Sequence, residues 1–149
     1  MNEPPPTILL VEDNEDDVYV MQRALKKSGI INPVRIAPDG EEALSYLAGT
    51  GAYANRAEHP LPFLVFLDIK LPFVDGFETL AWMRERGLLE TIAVVMLTSS
   101  AEARDREKAA ELGARAYVVK PPKVEDLRAT LEALRSFWRE RRGAFPVAM

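Results

Sequence analysis

The stretch VFLDIKLPFVDG, residues 65–76, gives a strong indication of both the fold class and the position of a functional site. It opens with a continuous apolar run, typical of a strand buried on both faces of a parallel sheet. Asp68 follows that run at once. Because a desolvated carboxylate is costly unless a cation or donor compensates it, an acid at this position predicts a functional group.

Similar apolar runs recur along the chain and alternate with helical patterns. The predicted strands are residues 8–11, 34–37, 63–67, 92–97 and 116–119. A last long helix is predicted from one apolar stripe, which contains Val124, Leu127, Leu131, Leu134 and Trp138. This alternation predicts an α/β fold of the (βα)5 type, with right-handed crossovers, a five-stranded parallel sheet and helices on both faces.

The domain organisation follows from length. A chain of 149 residues suits one domain. We expect an N-terminal lead over residues 1–6, the folded domain over 7–135, and a helix end and tail over 136–149. Since the predicted fold fills nearly the whole chain, we expect output through protein contacts rather than through an attached domain.

Composition excludes several classes of function. Hydrophobic residues make up 48% of the chain, and the net charge is 19 − 23 = −4, which disfavours sequence-independent binding of nucleic acid. The chain has no cysteine, so thiolate chemistry and disulfides are excluded. No apolar run approaches the roughly 20 residues of a membrane span, and a signal peptide is not evident, so we expect a cytoplasmic protein without membrane contact.

Polar residues follow four of the five predicted strands. Glu12 and Asp13 follow the first, Asp68 the third, Thr98 the fourth and Lys120 the fifth. Ligands of open α/β sheets bind outside the carboxyl ends of the strands. The sequence therefore predicts that three acids, a hydroxyl and a lysine converge at one edge.

This set of groups suits phosphoryl transfer to a carboxylate. Clustered carboxylates repel one another, so one pKa rises unless a cation lies among them. Oxygen ligands suit Mg²⁺, and an aspartate can act as a nucleophile that forms an aspartyl phosphate. Lys120 offers a charge and Thr98 a donor for the phosphoryl oxygens. We therefore predict that Asp68 accepts a phosphoryl group beside a divalent cation.

Less specific interpretations of the same residues remain open at this point. Glu12 and Asp13 could be only acids ahead of a helix that Asn14 caps, with Asp16 and Asp17 in its first turn. Thr98 could belong to a capping cluster, and Lys120 could be a solvated loop lysine.

Two other functional classes would need different residues at decisive positions. A flavin carrier would want a phosphate-binding loop where EDNEDD stands, and an acidic loop repels phosphate. A phosphoester hydrolase with an aspartyl nucleophile would want a second acid where Lys70 stands.

The segments ILLVEDNEDD, VFLDIKLPFVDGFE, VVMLTSS and ARAYVVKPPK resemble the response-regulator receiver domain of two-component signalling. The resemblance covers residues 7–135 and implies a flavodoxin-like strand order of 2-1-3-4-5. It implies that Asp68 is the phosphoacceptor and that Mg²⁺ or Mn²⁺ is bound by Asp13, by Asp68, by Glu12 through water and by the main-chain carbonyl of Lys70.

The resemblance also implies a switch and partners. Thr98 and Lys120 would contact the phosphoryl group, Tyr117 would move inward with Thr98, and Lys120-Pro121 would be a cis peptide. More narrowly, the sequence resembles single-domain regulators that pair with phytochrome-type sensor histidine kinases, including bacteriophytochromes. Independently of the resemblance, the apolar stripe of the last helix runs beyond what a five-stranded sheet can cover, and GAFPVAM adds apolar residues after it. We therefore also expect a homodimer through the last helix and the tail. The alternative is a degenerate or phosphate-sink receiver that acts only through protein contacts.

Overall fold

The sheet has the predicted architecture. The computed structural model describes residues 4–149, and its strands are β1 (Ile8–Val11), β2 (Val34–Ala37), β3 (Leu64–Leu67), β4 (Ala93–Thr98) and β5 (Ala116–Val119). All neighbouring strands are parallel, in the order β2-β1-β3-β4-β5. The predicted flavodoxin-like fold is therefore confirmed.

In the part of the chain that the structure describes, six α-helices surround the sheet. They are α1 (Glu15–Lys27), α2 (Gly40–Ala48), α3 (Gly76–Glu85), α4 (Ala103–Glu111), α5 (Val124–Ala133) and α6 (Arg135–Arg142). Asn14, Asp39 and Asp75 cap the first three, and each accepts a hydrogen bond from a backbone N–H in the first turn. Over residues 4–149, none of these helices combines the length and apolar character needed to cross a bilayer.

Successive strand residues face two separate apolar layers. Ile8 and Leu10 of β1 pack in the layer that includes α1 and α5, whereas Leu9 and Val11 pack in the layer that includes α2 and α3. Side chains of a strand alternate between faces, so a continuous apolar run is buried on both sides. The continuous apolar runs in the sequence thus correspond to strands of a sheet that helices cover on both faces.

The prediction of one long last helix is wrong. α5 ends at Ala133, Leu134 lies between the two helices, and α6 begins at Arg135. Trp138 of α6 packs in the apolar layer beside α1, where it is 0% exposed and donates from its indole Nε1 to the carbonyl of Phe63 at 3.0 Å. The apolar stripe therefore does not extend beyond the sheet at Trp138, which removes one reason for expecting a dimer.

The tail after α6 packs on its own chain. Phe145 and Val147 contact the same apolar layer as Trp138. The buried amide of Asn32 donates to the carbonyls of Pro6 and Pro146, both at 2.9 Å, and its oxygen accepts from the N–H of Ala148 at 2.7 Å. One side chain therefore joins the N-terminal lead to the tail.

Candidate functional site

The predicted residues meet at the carboxyl edge of the sheet. In the register, Val11 of β1 lies beside Leu67 of β3, so the residues that follow them, Glu12 and Asp68, become neighbours. Thr98 ends β4 opposite Val119 of β5, and Lys120 follows directly. The convergence predicted from strand ends is present in the structure.

Lys120 lies at the centre of this group. Its ammonium donates to Asp68 Oδ2 at 2.8 Å, to Asp17 Oδ2 at 2.9 Å and to Glu12 Oε2. Burial, which leaves only 12% of the side chain exposed, opposes the charge, but hydrogen bonds to Asp68, Glu12 and Asp17 outweigh it and raise the pKa of Lys120. The lysine is therefore a fixed cation and not a solvated loop residue.

Glu12 is a buried acid that the lysine only partly compensates. Its Oε1 accepts from the N–H of Asn14 at 3.2 Å, and its Oε2 accepts from Lys120. Burial raises the pKa of Glu12 above its ordinary value even though the bonds to Lys120 and Asn14 lower it. Additional positive charge at this edge would stabilise the ionised form.

Asp68 follows the end of β3, where its carboxylate is buried and hydrogen-bonded. It is buried, and its Oδ1 accepts from the N–H of Ile69 at 2.7 Å. Gly76 opens α3 so close by that a Cβ there would lie 2.0 Å from the main-chain oxygen of Asp68. Only glycine permits this approach, and it fixes the loop that carries Lys70 and Phe73 beside Asp68. Phe73 is 77% exposed in this loop and has a φ of 68°, which costs a non-glycine residue about 1–3 kcal/mol.

Three carboxylates form a group suited to a divalent cation. Ligand oxygens of Glu12, Asp13 and Asp68 all lie within 4.8 Å of one another. Oxygens bound to Mg²⁺ lie about 2.0–2.1 Å from the ion, so small movements would bring all three to one cation. Asp13 is exposed, which leaves an approach from solvent, and Lys70 is exposed in the following loop. The donor set therefore fits Mg²⁺ or Mn²⁺.

Thr98 lies at the end of β4, and Tyr117 lies in the neighbouring strand β5. Thr98 is buried, and its Oγ1 accepts from the N–H of Ser100 at 3.4 Å. The Tyr117 hydroxyl donates to the carbonyl of Ser100 at 2.9 Å, and the guanidinium of Arg106 lies 4.6 Å from the ring centroid. Burial raises the pKa of Tyr117. The Lys120-Pro121 peptide is cis, as the family resemblance implied.

Sequence reasoning missed the part that Asp17 plays in this group. It assigned Asp17 to the first turn of a helix, where an acid favours the helix dipole. In the structure Asp17 also binds Lys120, which lies 103 residues away in the chain. One signal was available: α1 starts directly after β1, so acids of its first turn lie near the same sheet edge.

Known proteins are similar to this chain in both sequence and fold. Residues 8–132 match the family described as response regulator receiver domain. The response regulator Rcp1 of Synechocystis sp. is 38% identical over 137 residues, which cover 92% of this chain and 91% of Rcp1.

Solved structures agree with this result. The bacteriophytochrome response regulator AtBRR is 44% identical, with a TM-score of 0.79 over 89% of this chain and 94% of that one. The Mn(2+)-bound form of Rcp1 is 37% identical, with a TM-score of 0.72 over 90% and 94% of the two chains. The resemblance to phytochrome-associated regulators is confirmed, and the chain belongs to the response regulator receiver domain family.

Proposed function

We propose that this protein is a single-domain response regulator that accepts a phosphoryl group from a sensor histidine kinase on Asp68. The observation that carries the proposal is the arrangement around Asp68. Its buried carboxylate is bound to Lys120 and lies with Glu12 and Asp13 in a group of acids that suits a cation. The chain thus provides the nucleophile and a cationic group, a divalent cation would add further positive charge, and the kinase supplies the phosphoryl group.

The acceptor reaction is a single displacement at phosphorus. A carboxylate oxygen of Asp68 forms a bond to phosphorus while the bond from phosphorus to the donor's imidazole nitrogen breaks, and the nitrogen keeps that electron pair. Lys120 and Thr98 donate hydrogen bonds to the transferred oxygens, which stabilises the charge that they carry. Mg²⁺ or Mn²⁺, held by Glu12, Asp13, Asp68 and the carbonyl of Lys70, would add positive charge at the same oxygens.

The reverse process is hydrolysis of the aspartyl phosphate. Water attacks phosphorus, the phosphorus–oxygen bond to Asp68 breaks, and the carboxylate and inorganic phosphate result. In this proposal the protein is a signalling acceptor that promotes its own phosphorylation and dephosphorylation, and not an enzyme with a separate substrate. A degenerate or phosphate-sink receiver is the alternative, and it would keep the fold without a phosphorylation-dependent change in contacts.

Thr98 and Tyr117 would couple phosphorylation of Asp68 to a conformational change at the surface. A hydrogen bond from Thr98 to the phosphoryl group would draw the end of β4 inward, and Tyr117 would follow, since both residues contact Ser100. The charge change at Asp68 then repacks the surface beside β5, where partner proteins bind.

Partners and assembly complete the proposal. The likeness to AtBRR supports a bacteriophytochrome-type kinase as the donor. As part of the proposal, we expect the protein to act in the cytoplasm without binding nucleic acid or a membrane. A homodimer through α6 and the tail stays a prediction. Size-exclusion chromatography with light scattering tests it, and a monomer before and after phosphorylation would contradict it.

Intact-protein mass after incubation with acetyl phosphate tests the central claim. Wild type should gain one phosphoryl adduct only with Mg²⁺, and Asp68→Asn should gain none. Glu41→Gln removes one exposed acid elsewhere on the chain and should behave as wild type. An adduct that persists in Asp68→Asn would refute the acceptor, and a folded wild type without an adduct would favour the degenerate receiver.

A further inference from the structure

Asp17 binds Lys120 at the proposed phosphorylation site. It is not one of the three acids, Glu12, Asp13 and Asp68, whose oxygens lie together in a group suited to a cation. We propose that Asp17 is a positioning residue, which holds Lys120 at the sheet edge while Glu12 and Asp68 turn to the metal ion and the phosphoryl group. This inference rests on the proposed function and adds a residue to it.

The first argument is the count of hydrogen bonds at the lysine. An ammonium has three protons, and in the structure a different carboxylate accepts each one. Glu12 and Asp68 belong to the metal-suited group, whereas Asp17 does not. Of the three carboxylates that accept from Lys120, Asp17 is therefore the one outside the group suited to a cation.

The second argument concerns charge during the reaction. Once Asp68 is phosphorylated it no longer carries a carboxylate charge, and a cation at the site attracts Glu12. Of the three side chains that accept from Lys120, Asp17 is then the one that stays in place while the other protons turn to the phosphoryl oxygens. A flexible lysine with one fixed ion pair keeps its other protons directed at the phosphoryl oxygens, whereas a lysine without this anchor would sample other rotamers.

The third argument is that the Asp17 side chain can be replaced without removing the N-terminal cap of α1. Asn14 caps α1 by accepting from the backbone N–H of Asp17, so the cap does not use the Asp17 side chain. Asp16 lies in the same turn and is exposed, and it offers the same charge to the helix dipole. Asp16→Asn is thus a matched control for Asp17→Asn, because only the second substitution touches Lys120.

The first measurement is the ¹⁵N resonance of the Lys120 ammonium, assigned by its loss in Lys120→Arg. In wild type we expect a signal protected from solvent exchange, with and without saturating Mg²⁺. Asp17→Asn should lose this signal in Mg²⁺, whereas Asp16→Asn should keep it and Asp17→Glu should restore part of it. An unchanged signal in Asp17→Asn would overturn the inference.

The second measurement is the rate of phosphorylation by acetyl phosphate. Losing one charge-assisted hydrogen bond should slow Asp17→Asn roughly tenfold, and Asp16→Asn should stay within about twofold of wild type. Equal rates in the two variants would contradict a positioning role. If wild type itself takes up no phosphoryl group, the proposed function fails, while the ammonium signal still decides whether Asp17 anchors Lys120.

Discussion

Replacing Trp138 by alanine tests whether the chain beyond residue 135 belongs to the folded core. Trp138 is fully buried, and its ring lies 5.2 Å from the ring of Phe63 and 5.9 Å from that of Phe145. The family match ends at residue 132, and the sequence predicted a domain that ends at residue 135. The packing instead leads us to propose that α6 and the tail stabilise the domain itself.

The expected cost follows from these contacts. Truncating a buried tryptophan to alanine removes apolar contacts and leaves a cavity, which costs about 3–5 kcal/mol. The carbonyl of Phe63 loses the indole donor but still accepts from the N–H of Ala93 at 3.2 Å, so no large additional penalty for an unpaired group applies. For a domain near 150 residues this loss lowers the melting temperature by roughly 6–20 °C.

Urea unfolding followed by circular dichroism measures the effect. Trp82→Ala is the control, because Trp82 is only partly buried on α3 beside Arg86, and we expect it to cost less than about 2 kcal/mol. Light scattering on the same samples reports the oligomeric state. If Trp138→Ala leaves the free energy of unfolding within about 1 kcal/mol of wild type but reduces the mass in solution, α6 is an interface element and the core assignment is refuted.

Three other substitutions test contacts elsewhere. Asn32→Ala should cost about 1–3 kcal/mol and speed amide exchange in the tail, and unchanged exchange by mass spectrometry would contradict the link that we describe. Gly76→Ala places a Cβ against the main chain of Asp68, so it should cost about 1–3 kcal/mol and slow phosphorylation by acetyl phosphate; a wild-type rate would refute this. The hydrogen bond to Glu42, helped by burial, raises the pKa of Tyr53 from 10.0 to about 12. The stability that this raised pKa provides is fully present below pH 10 and is lost as pH rises through 12. In urea titrations between these pH values, Tyr53→Phe should therefore lose less stability than wild type. If the free energy of unfolding falls equally for wild type and Tyr53→Phe as pH rises from 10 to 12, this prediction is contradicted.

The sheet and the site were predictable because their signals are local. A strand buried on both faces needs a continuous apolar run, and the residue after it lies at the sheet edge whatever the rest of the chain does. Asp68, Thr98 and Lys120 were found from this rule. The order of the strands came from the family resemblance, since short apolar runs do not say which strand is adjacent to which.

The fold class, the sheet edge that carries the candidate site and the residue types that meet there could all be predicted from the sequence. Three features became evident only from the packed chain: the last helix breaks at Leu134, Trp138 is in the core, and Asp17 binds Lys120. A stripe of apolar residues at helical spacing does not specify which surface covers it. An ion pair between residues 103 positions apart forms only after β1 and β5 have taken their places in one sheet. These contacts depend on distances in space, which periodicity along the chain does not contain.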